Sequence, residues 1–151
     1  MNAPHLHLLV THVPVLGTVF GLCLLLLALA RRSDELKRTS LLVFFVAGML
    51  AIPAYVSGEP AADHLKRIFA GTMADATDQH SEIAVIALTM SLIAGLLALF
   101  ALVFYRGGKK IGHRAIISML VVSLATAVLL GWTANLGAKI RHTEIRSDAA
   151  R

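Results

Sequence analysis

Charge is what this sequence has least of. Only 15% of its 151 residues are Asp, Glu, Lys or Arg, against about 25% in an ordinary soluble domain. Four stretches have none of the four types: Val13–Ala30, Ser40–Ser57, Ile83–Tyr105 and Ala115–Ala138, each 18 to 24 residues long. About 20 helical residues cross a hydrocarbon core of about 30 Å. A soluble helix of that length needs a polar face, and these stretches have almost none. Cysteine is nearly absent too. The single Cys23 excludes a disulfide within the chain and the CxxCH haem-attachment motif, and it reads as a small packing residue. No ionisable side chain lies in the middle of any stretch, which argues against a transport pathway. No GxSxG elbow marks a hydrolase. Aromatics make up 6% and form no aromatic-basic surface motif, so the net charge of +5 does not point to nucleic acid.

What is there is apolar: 57% of residues, with a mean hydropathy of +0.75. The expected fold is an all-α integral membrane protein, residues 1–151 forming one domain of four transmembrane helices in an antiparallel bundle. The first span is followed by basic residues rather than preceded by them, unlike a secretory signal. Arg31, Arg32, Lys37 and Arg38 fill the first connection, and Arg106, Lys109, Lys110 and Arg114 the third. The middle segment has only Lys66 and Arg67. By the positive-inside rule the first and third connections are expected to be cytoplasmic, with both termini outside. The tail, with Lys139, Arg141, Arg146 and Arg151, argues the other way, but eight basic residues on two short loops outweigh it. Within the middle segment, Leu65, Ile68 and Phe69 are spaced for a short amphipathic helix, with Asp63, Lys66 and Arg67 on its polar side. It is expected to cover the outer surface as a lid.

This topology gathers polar residues at one membrane face. The opening "HLHLLVTHVP" brings His5, His7 and His12; "YVSGEP" brings Tyr55 and Glu59; "DQHSE" brings His80 and Glu82; "WTANLGAKIRHTE" brings Asn135, His142 and Glu144. The opposite ends carry Lys, Arg and one histidine, His113. His7 and His12 are five residues apart, about 140° around a straight helix, so both cannot serve one centre unless Pro14 alters the local geometry. The ligand candidates are His12, His80 and His142, then His7. His12 stands at the apolar boundary, where an unpartnered imidazole is costly. Glu59 and Glu144 are expected to orient the rings by accepting ring N–H groups. His5, His64 and His113 read as helix-end residues. Gly17, Gly21, Gly48, Gly95 and Gly131 allow close helix approach or leave room for a flat cofactor.

The segments "HLLVTHVP", "YVSGEPAAD", "HSE" and "ANLGAKIRHTEIR", in that order, resemble a bacterial membrane family known as domain of unknown function 2231. The resemblance spans nearly the whole chain and rests on a His-x4-His-x-Pro signature, matched by His7, His12 and Pro14. It implies a four-helix membrane domain. Fusion of some relatives to c-type cytochrome or Rieske domains implies a redox setting. In those relatives a histidine often precedes Leu-Gly-Gly in the fourth span; Asn135 stands there in this chain.

Three readings follow. Two imidazoles from facing helices would ligate haem b for electron transfer with a periplasmic or membrane redox partner. Alternatively His7, His12, His80 and His142 with Glu59 and Glu144 would hold an Fe, Cu or Zn ion. The third reading is a structural subunit of a membrane complex. Self-association into a homo-oligomer is compatible with all three.

Overall fold

The structure, a computed structural model, describes residues 3–68 and 74–141, with side chains over 5–64 and 77–140. Five helices account for nearly all of it: α1 (Ala3–Arg31), α2 (Asp34–Val56), α3 (Gly58–Ile68), α4 (Ala74–Phe104) and α5 (His113–Arg141). Helices are what hydrocarbon permits, because each satisfies its own backbone hydrogen bonds. The four long ones hold 29, 23, 31 and 29 residues. At 1.5 Å per residue each is at least about 35 Å long, enough to cross a bilayer core.

Local chemistry sets the helix ends. α1 closes in a Schellman arrangement: the Ser33 N–H bonds to the Ala28 carbonyl at 3.0 Å and the Arg32 N–H to Leu29 at 3.2 Å. Arg32 takes the left-handed conformation, with φ 50°. Ser33 then caps α2, its hydroxyl accepting from the Leu36 N–H at 3.3 Å, and Asp34 and Glu35 complement the helix dipole. α2 ends at Val56 and α3 starts almost at once, so Glu59 stands in the first turn of α3 rather than at the end of α2. α3 is the amphipathic helix expected in the middle segment; Phe69 lies outside the described residues. α4 begins more than two turns before Ile83, where the uncharged stretch starts. α1 runs through Pro14 unbroken.

The four spans form a ring in the order α1, α2, α4, α5, with α5 closing back on α1 and α3 resting on α1, α2 and α4. α1 and α4 are therefore diagonal. Each span has a mean hydropathy of 2.0 to 2.6, yet only 28–33% of it is buried, so most of the apolar surface faces outward. Leu9, Leu16, Phe100 and Val128 are all more than 60% exposed. Such a surface is soluble in lipid and not in water.

The interior is uneven. Its largest fully buried side chains, Phe44, Leu25, Leu41, Ile116 and Met119, sit toward the end that holds Arg31 and His113. Toward the other end the buried residues of α2, α3 and α4 are small, Ala47, Gly48, Ala51, Ala54, Ala61, Thr77 and Ala87, while α5 contributes Leu130, Leu136 and Ile140. Glycine sets the closest helix approach. A Cβ on Gly48 would lie 2.7 Å from the Ser91 carbonyl oxygen and 3.0 Å from Gly95 Cα; one on Gly21 would strike the Phe44 ring at 2.8 Å. The space beside Gly17, Gly21, Gly48 and Gly95 is thus taken by neighbouring helices, whereas Gly131 opens on empty space. Buried hydroxyls bond to carbonyls: Ser91 to Ala87 at 2.7 Å, Thr126 to Val122 at 2.8 Å and across to Met90 at 3.3 Å.

Gly48→Ala is therefore expected to destabilise the bundle by about 1–3 kcal/mol, an overpacking cost. Gly131→Ala should be neutral or stabilising by up to about 1 kcal/mol. Thermal unfolding in detergent, followed by circular dichroism, checks both; equal effects would refute the α2–α4 crossing.

Candidate functional site

The antiparallel ring brings the start of α1, the end of α2, the start of α4 and the end of α5 to one end, as the topology requires. Two histidines meet there. His7 of α1 and His80 of α4 are both half-buried, their ring centroids 6.4 Å apart and their planes at 89°.

Each ring is held by the partner helix of its own hairpin. His7 Nδ1 lies 3.0 Å from Ser57 Oγ, just past α2. The Ser57 hydroxyl spends its single proton on the Ala54 carbonyl, at 2.8 Å. It therefore accepts from His7, and Nδ1 of His7 carries the hydrogen. His80 Nδ1 lies 3.0 Å from the Thr133 carbonyl of α5. A carbonyl only accepts, so this Nδ1 is protonated too. In the neutral form both rings then carry a bare lone pair on Nε2, the tautomer a metal-ligating imidazole needs.

Two glycines make the seats. A Cβ on Gly58 would lie 3.3 Å from His7 Cε1, and one on Gly137 would lie 3.2 Å from His80 Cε1, both tighter than ordinary contact. The arrangement thus occurs twice: a histidine on the first helix of a hairpin, a hydrogen bond to the second, and a glycine beneath the ring.

The other candidates do not join the pair. His12 is exposed, its Nδ1 bonded to the Leu8 carbonyl of its own helix. This agrees with the 140° that separates it from His7. Glu59, Glu82, Tyr55 and Asn135 are exposed, as are His5, His64 and His113. His142 and Glu144 lie outside the described residues. Among the described residues, no three of His, Cys, Asp and Glu converge in a group able to hold a metal ion. Sequence reasoning gave no place to Thr133 or Gly137. A backbone carbonyl has no residue signature, so only the glycine in "ANLGAKI" hints at a close neighbour.

Nitrogen-15 spectra of histidine-labelled protein above neutral pH should show His7 and His80 protonated at Nδ1 and bare at Nε2. The reverse tautomer would refute the hydrogen-bond network. Gly137→Val should displace the His80 ring and abolish its signature while leaving that of His12 unchanged. No protein-family model matches this chain, and no curated protein or solved structure does either.

Proposed function

We propose that His7 and His80 would hold a b-type haem through their imidazoles, and that the protein carries electrons within the membrane. The single observation behind this reading is the facing pair itself: two diagonal helices, two anchored Nδ1–H groups and two available Nε2 lone pairs. The ring centroids lie 6.4 Å apart with their planes at 89°, close enough for both imidazoles to serve one centre. The donor set fits as well. Two imidazoles are too few for a closed zinc site of four protein ligands, but they suffice for haem, whose macrocycle supplies the other four nitrogens. Bound haem supplies one-electron redox chemistry. The chain's own contribution is orientation: Ser57 and the Thr133 carbonyl fix ring rotation and tautomer, and the apolar spans keep water away.

The histidine end is read as the face outside the cytoplasm of a bacterial inner membrane, because the eight basic residues of the 31–38 and 106–114 segments mark the opposite end. The redox partner would then dock from the outer side or within the bilayer.

His7→Ala and His80→Ala are each expected to abolish the reduced-minus-oxidised haem spectrum of the purified protein. His12→Ala and His113→Ala should retain it. Ser57→Ala should weaken cofactor retention by about 10–100-fold. A colourless wild type carrying stoichiometric metal by elemental analysis would replace haem with an ion, and retention of all cofactor in His7→Ala would overturn the site. For orientation, a cysteine in place of Lys110 in a Cys23→Ala background should resist a membrane-impermeant thiol reagent in intact cells; labelling there would invert the topology.

A further inference from the structure

The opposite end of the molecule carries a second feature that the histidine pair does not use. Between the last turns of α4 and the first turns of α5 lies a groove of about 230 Å³, bordered by Leu97, Phe100, Phe104, Tyr105, Ser118 and Met119 among others. Its lining is apolar apart from the hydroxyls of Ser118 and Tyr105.

A basic turn stands at its mouth. Lys109 Nζ is 6.0 Å from the centre of the Phe104 ring, so its charge sits at the rim. The turn is fixed rather than loose. Arg38 Nη2 donates to the Tyr105 carbonyl and to the Lys109 carbonyl, both at 2.7 Å, tying the two ends of the turn to α2. Gly107 and Gly108, with φ 70° and 79°, supply the left-handed corner between them. Arg106, Lys109 and Lys110 are all exposed. This end holds eight Lys and Arg residues in the 31–38 and 106–114 segments against two acids, Asp34 and Glu35, and Asp34 is already paired with Lys37 at 2.7 Å.

An apolar slot at the end of two spans, with an exposed lysine at its rim on a turn anchored through its backbone, has the shape and charge of a phospholipid site. We propose that this groove binds one acyl chain of an anionic phospholipid, and that Lys109 holds its phosphate. The occupant is a lipid rather than a protein helix because the slot is small, and an anionic one because the rim charge has one sign. The site is independent of the histidine pair and stands whichever cofactor that pair holds.

The test uses the full-length protein purified from bilayers of mixed phosphatidylcholine and phosphatidylglycerol, with retained lipid counted by native mass spectrometry. Wild type should retain phosphatidylglycerol in preference. Lys109→Gln should reduce that preference by about fivefold, and Lys109→Arg should restore it. Ser118→Phe, which fills the slot from an exposed position, should lose the retained lipid of either kind. Arg32→Gln removes an equal charge from the same end but away from the groove, and should change nothing. Equal loss in Arg32→Gln and Lys109→Gln would mean diffuse surface charge and overturn the site. So would retained lipid without headgroup preference, or unchanged retention in Ser118→Phe.

Discussion

Hydrocarbon offers no hydrogen bond, and the whole molecule is arranged around that refusal. It makes the spans helical. It turns the hydroxyls of Ser91, Ser123 and Thr126 back onto helix carbonyls. Among the described residues, no buried side-chain nitrogen or oxygen lacks a partner. The histidines obey the same rule at the bundle's end. His7 and His80 cannot rely on bulk water for their Nδ1–H groups, so Ser57 and Thr133 supply the acceptors. The demand for internal partners leaves each ring with one committed and one available nitrogen.

The fold was largely legible in the sequence, because absence of charge over about 20 residues has few other causes. The ends of helices were less so. The uncharged stretch of the third span starts at Ile83 and its helix was expected from the "DQHSE" segment, but a helix need not stop where the bilayer does. α4 starts at Ala74 and carries His80 on regular helix. The amphipathic segment after Gly58 was legible because one side of it must face water. Which face of α1 looks inward was not. In lipid both faces of a span are apolar, so helical arithmetic separates His7 from His12 without saying which one meets the bundle. Depth ranked His12 first; packing brings His7 to His80.

The uneven interior follows from the same geometry. Phe44 fills the space left by Gly21, and Leu25, Leu41, Ile116 and Met119 make the end near Arg31 solid. Toward the histidines the buried residues of α2, α3 and α4 shrink to glycine, alanine and threonine, and the large ones come from α5, Leu130, Leu136 and Ile140. The rings of His7 and His80 meet at that end, their centroids 6.4 Å apart.

His7 belongs to the hairpin of α1 and α2, His80 to that of α4 and α5, and each hydrogen bond that orients a ring stays within its own hairpin. The contact between the rings therefore lies on the seam where the halves join. Anything that bonds to both Nε2 atoms also rivets one half of the protein to the other. Occupancy and the cohesion of the bundle are then a single equilibrium: prising the hairpins apart must release the ligand, and binding the ligand must draw the hairpins together.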